Sequence, residues 1–367
     1  MKICYLANLA IPSSTASSTQ IVKMCEAFSQ LNNKVTLITT NVKIIDRDIF
    51  DFYNVKEKFE IKKMEKFNTF PLGINYYLFS FLSILESLKH KPDIYITRNF
   101  FSCFLLTLFR KKIIIELHHD ISIESRIVKF LIKKLKFLNS KYIKFAIAIT
   151  KGVKDEYVSK KYINDKKINV LPSGSSLVPN KIKHVKKKSF KIGYFGSLYK
   201  SRGLELIKKL AKIDKENSYY VYGNLERLNY QRYKSYIPNL HYCNYVPYKF
   251  ITKHMANMDI LIIPYVSSIT VAGDVGDITK FTSPLKLFDY LAAGKVIMCS
   301  DFKVLREIVN MRNAIIVKNY KNPFSWKMEL KKISLQYHKQ LIMAFNNNKL
   351  SKNYTLKSRA KKILELI

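Results

Sequence analysis

The stretch Thr282-Ser-Pro-Leu-Lys-Leu-Phe-Asp-Tyr-Leu-Ala-Ala-Gly294, followed by Lys295-Val-Ile-Met-Cys-Ser-Asp301, decides how this chain folds. Ser283 suits a helix N-cap, and Pro284 suits the first helical turn, where no N–H is needed. Leu285, Phe288 and Leu291 share one face, while Lys286 and Asp289, three apart, share another. Gly294 can close the helix, and residues 295–301 read as a buried strand. A cation and an acid near the start of a capped helix suit a charged, hydroxyl-bearing ligand at its N-terminus. The same residues also suit an ordinary helix carrying a surface ion pair.

Outward from this segment the chain alternates apolar runs with helical patterns. Strands are expected at 2–7, 35–39, 93–97, 112–117, 145–150 and 168–171, with a helix at 18–30 among the intervening helical stretches. After the polar run 181–188, a linker candidate, the rhythm restarts. Strands at 190–195, 219–222 and 259–264 and a helix at 204–212 precede the opening segment. The expectation is α/β: two Rossmann-like, doubly wound parallel-sheet domains that follow one another. Ligands in such sheets bind beyond the carboxyl ends of the strands, and two such domains predict a cleft between them.

The 367 residues suffice for two domains, and 48% of them are hydrophobic. No apolar run reaches the ~18–20 residues of a membrane span, and the first residues lack a signal-peptide layout. Five scattered cysteines without metal-ligand or redox spacing fit reduced, mostly buried thiols in a cytoplasmic protein. The net charge of +37 predicts attraction to polyanions: nucleic acid, anionic membrane or phosphorylated ligands. The chain is also rich throughout in Lys, Asn, Ile, Phe and Tyr, so the excess can equally be a compositional habit.

Four further segments offer chemistry. Gly196-Ser-Leu-Tyr-Lys-Ser-Arg-Gly203 joins a strand to a helix start; its glycines, free N–H groups and Arg202 suit a diphosphate, or make a plain turn. Glu116-Leu-His-His-Asp120 closes a strand. Its histidines point opposite ways if the strand continues, so at most one serves a ligand, and a lone histidine there equally suits a satisfied structural role. No residues show metal-ligand spacing around it. Ala272-Gly-Asp-Val-Gly-Asp-Ile-Thr-Lys280 is a loop whose Asp274, Gly276 and Asp277 can close over sugar hydroxyls, or lie in solvent. Residues 126–138 read as a basic amphipathic helix, with Lys129, Lys133, Lys134 and Lys136 on one face and Phe130, Leu131, Leu135 and Leu138 on another. Such a helix lies on an anionic bilayer, or packs on the first sheet.

These segments together resemble a GT-B-fold glycosyltransferase of glycosyltransferase family 4, over nearly the whole length. The resemblance rests on Ile3-Cys-Tyr-Leu-Ala-Asn8, Gln20-Ile-Val-Lys-Met-Cys-Glu-Ala-Phe28, 113–120, 193–203, 283–301 and Tyr354-Thr-Leu-Lys-Ser-Arg-Ala360. It implies an acceptor-side domain at 1–180, a nucleotide-sugar domain at 187–345, and a tail helix at 346–367 crossing back to the first. It further implies a retaining, metal-independent hexosyltransferase without a cofactor. The donor would be a UDP- or GDP-linked sugar, the acceptor a saccharide or polyprenyl-linked molecule. The setting would be bacterial surface polysaccharide or glycolipid synthesis, peripheral on the inner face of the plasma membrane.

By position, Asp289 matches the family's ribose-binding acid, Arg202 its phosphate-binding lysine, and His118 the histidine near the transferred sugar. Gly196, Ser197, Gly203, Asp274, Gly276 and Lys286 complete the donor set. Phe281 stands where the family has a first acid, and Ser197 where many members carry an arginine. Diphosphate binding then leans on Arg202, Lys286 and helix N-termini. Residues 13–19 replace the usual Gly-Gly loop. A nucleotide-sugar epimerase of similar layout, active without an acceptor, is the alternative enzyme. A basic nucleic-acid binder is the other; the lysines are spread along the chain and no nucleic-acid-binding motif stands out.

Overall fold

A computed structural model describes residues 1–40, 48–64, 72–179, 187–198, 200–225, 236–266, 269 and 277–367. They form two compact units, Met1–Pro172 with Leu356–Ile367, and Ser173–Thr355. Sequence alone places the first boundary at 180 and starts the tail at 346; the chain divides at 172/173 and 355/356. The linker candidate at 181–188 lies almost wholly outside the described residues.

The first unit runs β1 (Lys2–Ala10), α1 (Ala16–Ser29), β2 (Lys34–Thr40), α2 (Ile49–Phe52), β3 (Glu60–Met64), α3 (Leu72–Leu88), β4 (Ile94–Thr97), α4 (Phe100–Leu108), β5 (Ile113–Leu117), α5 (Arg126–Lys133), β6 (Ile143–Ala148), α6 (Lys151–Ser159) and β7 (Ile168–Val170). The seven strands are all parallel, in the order β3-β2-β1-β4-β5-β6-β7. The second unit continues with β8 (Lys191–Phe195), α7 (Leu204–Ile213), β9 (Ser218–Tyr222), β10 (Leu240–Cys243), α8 (Tyr248–Ala256), β11 (Ile260–Ile263), α9 (Leu285–Ala293), β12 (Val296–Ser300), α10 (Lys303–Arg306), β13 (Ala314–Val317), α11 (Pro323–Ser334) and α12 (Tyr337–Ser351). Its six parallel strands are ordered β10-β9-β8-β11-β12-β13. The last helix, α13 (Leu356–Glu365), belongs to the first unit and packs on α1.

Strand alternation splits the second unit's core into two layers. Ile260, Ile262, Val296 and Met298 face α7 and α11, meeting Leu206, Leu210 and Trp326. Leu261, Ile263, Ile297 and Cys299 face α9, meeting Leu287, Phe288 and Leu291. Both faces are apolar because helices cover both, as a doubly wound sheet requires. In the first unit Leu356, Ala360 and Ile363 from α13 join Ile21, Met24 and Phe28 of α1 in one core. All five cysteines are free, and four are buried.

Two local expectations are corrected. The opening helix begins at Leu285 with Pro284 at its N-cap; Ser283 makes no cap, because its hydroxyl accepts the Ser173 backbone N–H at 3.1 Å. The amphipathic segment is not one helix over 126–138. α5 stops at Lys133, Lys136 takes a left-handed φ of 47°, and a short 3-10 turn spans Phe137–Asn139. Consequently Leu131 and Leu138 point inward, whereas Ile127, Phe130 and Leu135 are 53%, 56% and 54% exposed among exposed Arg126, Lys133, Lys134 and Lys136.

Candidate functional site

In the second unit the strand order reverses direction at β8, which has β9 on one side and β11 on the other. The loops leaving β8 and β11 therefore diverge and open a crevice at the carboxyl ends. Gly196 and Gly203 bracket the first of these loops. A Cβ on Gly203 would lie 1.7 Å from the Pro264 carbonyl oxygen, and its φ of 85° is left-handed, so only glycine fits at the start of α7. A Cβ on Gly196 would lie 2.6 Å from Lys286 Nζ. The loop backbone thus comes directly against the lysine of the opening helix.

Lys286 does not pair with Asp289. Its ammonium donates to Tyr194 Oη at 2.9 Å and sits 4.0 Å from the centre of that ring and 5.7 Å from that of Tyr265. Arg202 places its guanidinium 5.5 Å from the Tyr265 ring centre. Tyr194 Oη in turn donates to the Ser197 carbonyl at 2.6 Å, and Ser197 itself is exposed. Among the described residues Lys286 makes no ion pair with a carboxylate. Burial, then the neighbouring Arg202, hold its ammonium well below the ordinary lysine range. Arg202 and Lys286 thus both lie against the Tyr265 ring, with the N-terminus of α7 following Arg202, a grouping whose chemistry suits an anion.

Asp289 is buried at 7% exposure, with Oδ1 accepting Ser175 Oγ at 2.5 Å and Tyr248 Oη at 3.2 Å. Burial raises its carboxyl to about 6, against the lowering effect of the two hydroxyls. Phe281 is buried. Asp277 caps a local turn, accepting the Thr279 N–H at 2.8 Å. Asp274 and Gly276 lie outside the described residues. The aromatic pair Tyr194 and Tyr265, and the Asp289 partners Ser175 and Tyr248, were not anticipated. The signal for the first two was their place at the ends of adjoining strands β8 and β11.

In the first unit His118 follows β5, its Nε2 3.6 Å from Glu116 Oε2 and without a hydrogen-bond partner among the described residues. Burial and then Arg98 push its imidazole down to about 3, so it is neutral at physiological pH. His119 is turned away, Nδ1 lying 2.7 Å from the Asp120 carbonyl oxygen. Glu116 is buried and accepts Tyr5 Oη at 2.8 Å, Arg98 Nε at 2.9 Å and Arg359 Nη1 at 2.6 Å. Burial works to raise its carboxyl, but Arg359 and Arg98 override that and hold it well below the usual range. Among the described residues no group of three His, Cys, Asp or Glu is arranged to hold a metal ion.

The chain resembles solved glycosyltransferase structures over its full length. A glycosyltransferase from Rickettsia africae aligns with TM-score 0.72 at 15% identity, covering 100% of this chain and 97% of the other. HepE of Anabaena, in complex with UDP-glucose, aligns with TM-score 0.71 at 13% identity, covering 100% and 98%. WaaG, a glycosyltransferase involved in lipopolysaccharide biosynthesis, aligns with TM-score 0.65 at 13% identity, covering 100% and 99%. No protein-family model and no curated protein matches the chain. At these identities the likeness shows the fold: two parallel-sheet α/β domains, as in GT-B glycosyltransferases.

Proposed function

We propose that this protein is a retaining, metal-independent hexosyltransferase of glycosyltransferase family 4, with a UDP- or GDP-linked sugar as donor. The observation that carries this reading is the meeting of Arg202 and Lys286 beside Gly196, at the switch point of the second sheet, with no carboxylate paired to Lys286 among the described residues. Two side-chain cations and a helix N-terminus there suit a diphosphate, the leaving group whose charge grows as the glycosidic bond breaks. HepE, whose structure holds UDP-glucose, lends support through its fold.

In the proposed mechanism the acceptor hydroxyl oxygen bonds to the anomeric carbon as the carbon–oxygen bond to the diphosphate breaks. The acceptor proton passes to a phosphate oxygen of the donor, and Arg202 and Lys286 hold the departing diphosphate. Asp289 receives the ribose hydroxyls through the carboxylate oxygen that Ser175 and Tyr248 leave unused. His118, neutral, exchanges hydrogen bonds with the transferred sugar rather than charge.

The acceptor is proposed to be a saccharide or polyprenyl-linked molecule of surface polysaccharide or glycolipid synthesis. No helix among the described residues is long and apolar enough to cross a membrane. Exposed Phe130, Ile127 and Leu135 among lysines suit peripheral attachment to an anionic inner leaflet. Thermal stabilisation across a panel of nucleoside diphosphates and nucleotide sugars tests the donor, since ligand binding to the native state raises the melting temperature. Stabilisation by none of them sinks the reading, and donor turnover to an epimer without acceptor would favour the epimerase.

A further inference from the structure

We propose that the first unit carries a second anion site, for a soluble small molecule bearing several phosphate groups, at the end of the sheet opposite His118. A cavity of about 380 Å³ opens there, lined among others by Lys2, Lys34, Lys89, His90, Lys91 and Pro92. That volume falls within the range of ordinary small-molecule sites.

The topology concentrates charge at this point. Lys2 and Lys34 are register partners at the first positions of neighbouring parallel strands, so their side chains leave the sheet on the same face. Lys91 lies in the turn from α3 into β4, with a left-handed φ of 46°, and β4 is the other neighbour of β1. Three lysines from three chain segments are thus gathered at the centre of one sheet end.

The carboxylates nearby are already engaged. Glu60 accepts Thr36 Oγ1 at 2.8 Å and faces Lys62 at 3.3 Å and His90 Nδ1 at 3.3 Å. Glu86 pairs with Lys89 at 2.6 Å and approaches His90 Nε2 at 3.8 Å. Asp93 accepts the Lys2 backbone N–H at 2.7 Å. Among the described residues the ammonium groups of Lys2, Lys34 and Lys91 make no ion pair. Like charges gathered around a concavity repel one another until an anion enters, which raises the local concentration of phosphorylated ligands. The donor cluster lies in the other unit and shares none of these residues.

Calorimetric titration of the full chain with inorganic tripolyphosphate tests the site. The expected result is binding that Lys34→Glu/Lys91→Glu weakens tenfold or more, in both the wild-type and the Arg202→Ala backgrounds. Lys212→Glu/Lys331→Glu, which removes the same charge from exposed positions of the second unit, should change it less than twofold. Equal losses in the two pairs would reduce the binding to general attraction by a +37 chain and overturn the proposal. So would absence of binding with an unchanged melting curve. Sedimentation with phosphatidic-acid vesicles that needs Lys34 and Lys91, without tripolyphosphate binding, would overturn the assignment to a soluble ligand.

Discussion

Ser175 Oγ donates to Asp289 Oδ1 across 2.5 Å, tying the acid of α9 to the segment where the chain enters the second unit. The same serine takes its backbone N–H to the Tyr354 carbonyl at 2.9 Å, beside the point where the chain leaves that unit. Asp289 therefore has a structural partner before any ligand arrives. Its two roles separate experimentally. A carboxyl raised from 3.8 to about 6 means the native state holds the proton more tightly than the unfolded chain. Stability then falls as pH rises through that window, a cost on the order of 3 kcal/mol above it. Asp289→Asn keeps an acceptor for Ser175 and Tyr248 and removes the charge. The expected outcome at pH 7.5 is a higher melting temperature with nucleotide-sugar affinity at least tenfold weaker. A lower melting temperature with unchanged affinity would make Asp289 structural only.

Lys286 yields a second prediction. An ammonium held well below its usual range by burial and Arg202 regains protons when an anion arrives. UDP binding should take up protons, seen as a binding enthalpy that varies with the ionisation enthalpy of the buffer. The dependence should vanish in Lys286→Met, together with a tenfold or greater loss of affinity.

The Glu116–Arg359 pair yields a third. Both groups are buried, and removing one partner of such a pair costs about 3–5 kcal/mol. Arg359→Met should destabilise the first unit and expose α13 to proteolysis. Acid should act in the same direction. Glu116 lies well below its unfolded value, so its stabilisation is lost as pH falls through the folded pKa. His118 goes from 6.5 to about 3, so stability is lost progressively between those values on acidification. His118→Gln should flatten the decline in melting temperature between pH 6.5 and 4.

The exposed side of α5 yields a fourth. Phe130→Ser and Lys133→Glu/Lys134→Glu should each reduce sedimentation with anionic vesicles several-fold at moderate salt, with folding unchanged, since all three positions are exposed. Equal sedimentation of the variants and the wild type would remove this face as the point of attachment.

What sequence conveyed and what it hid divides along physical lines. The central strands were legible because both faces are covered and the runs are wholly apolar, as in Ile113–Leu117 and Ile260–Ile263. The strands missed, β3, β10 and β13, are all sheet edges. β3 reads Glu-Ile-Lys-Lys-Met, polar as edges commonly are. Lys286 and Asp289 were legible as a helical pair, yet each turned to a partner 92 or 114 residues away. Helical spacing gives neighbours on one face; it carries no information about what a distant strand or crossing segment brings to that face.

The first unit is built from two pieces of chain, and α13 fills the groove on α1 with Leu356, Ala360 and Ile363. On the ribosome the residues up to Pro172 emerge first but stay one helix short, with apolar surface uncovered, while the entire second unit is made. The unit whose synthesis starts first is therefore completed last. For that interval the nascent chain is most open to aggregation and most in need of a chaperone.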